Sequence, residues 1–163
     1  MKTILILRHA KSSWDDRALS DHDRPLNKRG LRDAPRVGQV LAAADLIPDL
    51  ILASTAVRAL QTATFVAQAC RYDQELRTLP QLYLAEAEVY LAVIRGLAEG
   101  HERVLLVGHN PGIEALVHAL SGDEEPMPTA ALAHVRFPVA RWADVAVAGP
   151  GELVRVWRVK RES

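Results

Sequence analysis

Three short runs, Ile4-Leu5-Ile6-Leu7, Leu50-Ile51-Leu52-Ala53 and Val104-Leu105-Leu106-Val107, contain no polar residue to turn toward water. A strand with one wet face alternates, so an unbroken apolar run indicates a strand covered on both faces. Covering both faces takes helices, and the intervening sequence supplies them. Leu31, Ala34, Val37, Val40, Leu41 and Ala44 recur at three- and four-residue spacing. Either Asp33 caps this helix with Pro35 in its first turn, or Pro35 kinks a helix begun earlier. Further helices are predicted over 57–70, with Leu60, Ala63, Ala67 and Cys70 on one side, and over 88–98, with Val89, Ala92, Val93 and Leu97. A fourth is predicted over 113–120. Alternating strands and helices predict an α/β fold, a three-layer sandwich around a mostly parallel sheet.

The tail behaves differently. Segments 131–137 and 153–159 read as strands separated by a turn-rich stretch ending Gly149-Pro150-Gly151. Val154, Val156 and Val159 mix with Arg155, Arg158 and Lys160, which suits an edge position with one solvated face. No repeat or long linker divides the chain, so residues 1–163 are expected to form a single domain.

Composition narrows the classes of function. Twenty basic residues balance twenty acidic ones in 163, which gives no electrostatic reason to expect nucleic acid or an anionic membrane as partner. No apolar run approaches the roughly 20 residues of a membrane span. The single cysteine, Cys70, excludes an internal disulfide and any multi-cysteine metal site. Met1-Lys2-Thr3 leads into the first strand with no secretory cleavage pattern, so a cytoplasmic location is expected, with the chain a monomer or weak oligomer.

In open parallel sheets ligands bind beyond the carboxyl ends of the strands. After the first run comes Arg8-His9-Ala10-Lys11-Ser12, and after the second Ser54-Thr55-Ala56-Val57-Arg58, with Gln61-Thr62 one turn further on. After the third comes Gly108-His109-Asn110-Pro111-Gly112, whose glycines could serve a turn with positive φ. Each segment alone is an ordinary loop. Together they bring Arg8, His9, Arg58 and His109 to one edge of the sheet, two guanidiniums and two imidazoles with no carboxylate among them. Guanidinium forks match phosphate oxygens, and the two helices that begin there add backbone donors. The guest this predicts is a phosphoryl group, held without a glycine-rich nucleotide cradle. His22, His101, His118 and His134 lack this placement and read as structural or surface residues.

Leu7-Arg8-His9-Ala10-Lys11, Ser54-x-x-x-Arg58-Ala59-x-Gln61-Thr62 and Gly108-His109-Asn110 resemble, in this order, the three motifs of the histidine phosphatase superfamily, which includes the phosphoglycerate mutases. The short length and Asp23-Arg24-Pro25-Leu26-Asn27-x-x-Gly30 resemble its small branch, the SixA-type phosphohistidine phosphatases. The resemblance implies a phosphoglycerate mutase-like fold, with His9 as nucleophile forming a phosphohistidine intermediate. It implies that Arg8, Arg58 and His109 hold the phosphoryl oxygens, with Arg24 at the pocket rim. Asn110 and Ser54 would contact phosphate, orient neighbours, or simply shape their turns. The scheme requires no cofactor and no metal, and the two pocket histidines have no carboxylate or thiolate companion to complete a metal site.

Two residues depart from the family pattern. Ala10 replaces a usual glycine, and Gln81 stands where larger relatives carry a glutamate acid, with Glu86 and Glu88 nearby. An alkoxide leaving group needs a positioned proton donor, whereas phosphohistidine leaves as neutral imidazole once its ring is protonated. The expected activity is therefore a metal-independent phosphatase acting on protein phosphohistidine. The alternatives are a phosphatase of small phosphate esters, with Glu86, Glu88 or Asp15 as acid, and a non-catalytic phosphate-binding module. A mutase would need both the acid and further substrate-binding insertions.

Overall fold

The three apolar runs lie side by side in the middle of a six-stranded sheet. The computed structural model describes residues 1–147 and 151–159. Its strands are β1 (Lys2–Arg8), β2 (Leu50–Ser54), β3 (Leu76–Leu79), β4 (Arg103–Gly108), β5 (Leu132–Phe137) and β6 (Glu152–Trp157). They are ordered β3-β2-β4-β1-β5-β6, with β1 to β4 parallel and β5 and β6 added antiparallel. The helices are α1 (Lys28–Ala43), α2 (Val57–Ala69), α3 (Ala87–Arg95) and α4 (Gly112–Ser121). This is the α/β fold with a mostly parallel sheet that the alternating pattern predicts.

The apolar runs are unbroken because alternate residues feed two cores. Leu5, Leu7, Ile51, Ala53, Leu105 and Val107 pack with Val37, Leu41, Ala63 and Val66 of α1 and α2. Ile4, Ile6, Leu50, Leu52, Val104 and Leu106 pack on the other face with Tyr90, Ile94, Leu116 and Leu120 of α3 and α4. Burying each such side chain contributes about 1.5–3 kcal/mol, so neither face tolerates a polar substitution.

Local details depart from the periodicity. Helix α1 begins earlier than Asp33: Asn27 caps it, its side chain accepting from the Gly30 amide at 2.9 Å. Pro35 therefore lies inside the helix, and Asp33 is buried among Arg29, Arg32 and Arg36 at 3.4–3.8 Å. Leu31 and Leu60 are on outer faces, while Ala59 and Val66 occupy the core side of α2. In α3 the buried face carries Tyr90 and Ile94, and Ala92 is exposed. The Tyr90 hydroxyl explains the choice, since it accepts from the His109 amide at 3.1 Å while the ring fills the core.

β3 has no signature in the sequence because only Leu76 and Leu79 of its four residues are even partly covered. β6 is the edge strand that its mixed Val and Arg content suggests. Gly149, Pro150 and Lys160 lie outside the described residues. His101 sits 3.2 Å from Asp49, His118 is exposed on α4 and His134 is half-buried on β5. Among the described residues no helix is long and apolar enough to cross a membrane.

Gly108 and Gly112 are selected by close approach rather than by positive φ, which among the described glycines belongs to Gly122 alone. A Cβ on Gly108 would meet the Tyr90 hydroxyl at 2.3 Å, and one on Gly112 would meet the Ala85 carbonyl at 1.9 Å. Gly112→Ala is therefore expected to lower stability by about 1–3 kcal/mol in urea titration. Gly100→Ala, which meets nothing within 4 Å, should be neutral or slightly stabilising.

Candidate active site

Register builds the site. Leu7 and Ala53 both pair with Val107, so Arg8, Ser54 and Gly108 end their strands at one level. The next residues, His9 and His109, leave adjacent strands together, with ring centroids 5.2 Å apart. Arg58 enters from the first turn of α2. The four side chains line a cavity of about 280 Å³, and Arg24 and Asn110 line it with them. Trp14, Lys11 and Leu84 stand at the same cavity, Leu84 with its backbone in the left-handed region at φ 49°.

His9 is held in one tautomer. Its Nδ1 lies 2.7 Å from the Ala10 carbonyl, which can only accept, so the proton is on Nδ1 and Nε2 carries the free lone pair. Arg58 Nε donates weakly to that Nε2 at 3.4 Å. The adjoining Ala10 amide donates to Thr62 Oγ1 at 3.0 Å, and Thr62 donates in turn to the Arg58 carbonyl, tying the end of β1 to α2. Gln61 fastens the other side, accepting from the Leu26 amide at 2.8 Å. Ala10 is fully buried in the α1/α2 core, where its methyl is accommodated.

Ser54 does not line the cavity. It is fully buried, with Oγ 2.8 Å from His109 Nε2 and receiving the Ala56 amide at 3.2 Å. Among the described residues His109 Nε2 is the one acceptor for the Ser54 hydroxyl proton, so the hydroxyl donates to it and the ring proton of His109 is assigned to Nδ1. That Nδ1 is buried without a partner, as is Arg8 Nε. Both residues line the cavity, and a buried N–H left unpaired is costly. Asn110 fills the turn role as well as lining the cavity: its amide donates to the Met127 carbonyl at 2.9 Å and its oxygen accepts from the Glu114 amide.

Burial, reinforced by the positive charges of Arg58 and Arg8, pushes His9 down to about 3 and His109 to about 4 from an ordinary value of 6.5. Arg8 is also lowered by burial. Both imidazoles are neutral throughout the physiological range.

One charged residue of the site is absent from the sequence reading. Asp21 accepts from Arg58 Nη2 at 3.0 Å and Arg24 Nη1 at 2.9 Å, and its carbonyl accepts from Arg58 Nη1 at 2.7 Å. The Tyr83 hydroxyl also donates to it. That phenol, then Arg58 and Arg24, hold the Asp21 carboxyl down at about 2. The cationic pair is therefore braced by a carboxylate just outside the cavity. The only hint in the sequence is the three-residue spacing from Asp21 to Arg24. Arg24 is further fixed by Ser12, the Ser13 carbonyl and the ring of Trp14. His22 is structural, its Nε2 bonded to Thr55 Oγ1 at 2.9 Å.

The acid candidates lie elsewhere. Gln81 is exposed on a short turn outside the cavity, Glu86 and Glu88 line a neighbouring groove, and Asp15 lines another. Among the described residues no carboxylate lines the cavity itself.

A family model described as the histidine phosphatase superfamily (branch 1) matches residues 4–83, which contain the first two strand-end motifs. The chain belongs to the histidine phosphatase superfamily. Protein Rv1276c of Mycobacterium tuberculosis is 35% identical over 150 residues, spanning 85% of this chain and 91% of its own. Among solved structures, a SixA-type protein of Agrobacterium tumefaciens matches with TM-score 0.83 and 29% identity, over 97% of this chain and 98% of that one. The protein histidine phosphatase SixA complexed with tungstate matches with TM-score 0.80 and 25% identity, over 94% and 95%.

The depressed histidines make two linked expectations. In NMR spectra the His9 and His109 rings should keep their neutral signals from pH 8 to pH 5, and a midpoint near 6.5 for either would contradict the site described. The unfolded chain takes up protons at these positions below about pH 6.5 while the folded chain does not. Stability should therefore fall as pH drops from 6.5 toward 4, by on the order of 2 kcal/mol per ring at pH 5.

Proposed function

We propose that this chain is a metal-independent phosphohistidine phosphatase, a single-domain cytoplasmic protein, monomeric or weakly oligomeric, that removes phosphoryl groups from histidines of other proteins. The observation that carries the reading is the Nε2 lone pair of His9, presented by a tautomer fixed at Ala10, in a ring that stays neutral inside a cationic cavity. A neutral imidazole is nucleophilic, and the charges that keep it neutral also favour the transferring group.

In the first step His9 Nε2 attacks phosphorus while the P–N bond to the substrate imidazole breaks. The leaving ring, protonated beforehand, departs neutral. In the second step water attacks the phosphohistidine, the P–Nε2 bond breaks, and inorganic phosphate leaves with the proton from water. Arg8 Nε and His109 Nδ1, the two unpartnered donors, take phosphoryl oxygens together with Arg58, and Arg24 holds the rim. Ser54 is a positioning residue for His109 rather than a phosphate ligand. Tungstate, present in the similar SixA structure, is a tetrahedral oxyanion of the shape this donor set suits.

The lack of a carboxylate in the cavity favours P–N over P–O cleavage, because ester hydrolysis forgoes the roughly 10²–10⁴-fold contribution of proton transfer. Metal independence is supported by the donor set: three guanidiniums repel a divalent ion, and among the described residues no group of three His, Cys, Asp or Glu is placed to hold one. A free, buried Cys70 suits a reducing compartment.

The test is the ratio of kcat/KM for a phosphohistidine-bearing protein to that for an alkyl phosphate, expected to exceed about 10². Activity should survive prolonged chelation, and His9→Ala should abolish it while circular dichroism remains native. Equal or better ester turnover would transfer the reading to a small-ester phosphatase. Binding of phosphate without turnover of either substrate would indicate a non-catalytic module.

A further inference from the structure

Two open grooves leave the catalytic cavity through different walls, and their charges are opposite. One, of about 710 Å³, shares Lys11, Ser12 and Trp14 with the cavity and runs along the start of α1, past Lys28, Arg29 and Leu31. The other, of about 410 Å³, shares Leu84 with the cavity and runs past Glu86, Glu88 and Ala115. Among the described residues no Lys or Arg lines this second groove.

The basic groove is equipped for more than a phosphoryl group. Among the described residues Lys11 and Lys28 make no ion pair and Asp15 is the one acidic residue that lines the groove. Arg29 is partly neutralised by Asp33 at 3.5 Å. Trp14 is 68% exposed although its ring stacks on Arg24, and Leu31 is 44% exposed. Cations without partners, interleaved with exposed apolar surface and continuous with the catalytic cavity, suit an extended acidic polypeptide rather than a small phosphate compound.

Resting on the phosphohistidine reading, we propose that the segment of the substrate protein next to its phosphohistidine lies in this groove, with acidic side chains against Lys11 and Lys28 and an apolar one against Trp14. Glu86 and Glu88 repel the same acidic chain from the second groove, so the pair of grooves sets the direction in which the substrate runs.

The test uses the intact protein and three substrates: a phosphohistidine peptide flanked by Asp and Glu, one flanked by Lys and Arg, and free phosphohistidine. Lys28 is exposed, lines the groove but not the cavity, and opens α1, where a glutamate suits the helix dipole, so Lys28→Glu should fold. The wild type is expected to favour the acidic over the basic peptide by about tenfold in kcat/KM at low salt, less as salt is added. Lys28→Glu should lose most of that preference and leave free phosphohistidine turnover within about twofold, while Glu88→Lys should not weaken the acidic peptide. Calorimetry with an acidic peptide carrying a non-hydrolysable phosphohistidine analogue gives a readout that does not depend on turnover, and Lys28→Glu should weaken that binding similarly. Unchanged acidic-peptide binding in Lys28→Glu overturns the groove assignment. Lost turnover of all three substrates with the binding difference intact overturns the phosphatase reading instead and leaves the groove standing.

Discussion

The shared register of β1, β4 and β2 is the constraint from which the site follows. Leu7 and Ala53 flank Val107, so three strands end at one level and their next residues must emerge together. That register is maintained by burial on both faces: a shift of one residue would exchange the side chains facing the α1/α2 core with those facing the α3/α4 core. Gly108 then admits Tyr90 against the end of β4, and the Tyr90 hydroxyl takes the His109 amide. The packing of the core and the placement of the second imidazole are thus one arrangement.

Gathering Arg8, Arg24 and Arg58 around a small cavity is electrostatically costly, and the structure offsets the cost in two ways. Asp21 braces Arg58 and Arg24 from outside the cavity, its carboxylate pairing with both. The two histidines stay uncharged, which removes further repulsion and leaves a nucleophile at one ring and an N–H donor at the other. The remaining unpaired donors, Arg8 Nε and His109 Nδ1, are groups whose hydrogen-bonding capacity an oxyanion would satisfy. Polar strain of this kind is typical of functional sites.

Most of this was legible in the sequence where a single physical rule dominates. Unbroken apolar tetrads announce doubly covered strands, and residues after them announce the ligand edge, so Arg8, His9, Arg58 and His109 could be named without coordinates. Of the two starts the sequence leaves open for α1, the earlier holds: Asn27 caps the helix and Pro35 lies inside it. The misreadings arise where two rules compete. Tyr90 displaced Ala92 from the buried face of α3 because its hydroxyl has a partner at the end of β4. Asp21 was invisible because its importance depends on Arg58, thirty-seven residues away. The family resemblance puts Gln81 at the acid position, yet the turn that carries it exposes it outside the cavity.

The central claim is that His9 attacks through Nε2. Stopping turnover of a phosphohistidine protein at early times with base, then resolving the phosphorylated ring by phosphorus-correlated NMR, reads the attacking atom directly. The tautomer fixed by the Ala10 carbonyl predicts phosphate on Nε2 of His9, labile to acid and stable to base. Phosphate on Nδ1, on His109 or on a hydroxyl would contradict the account.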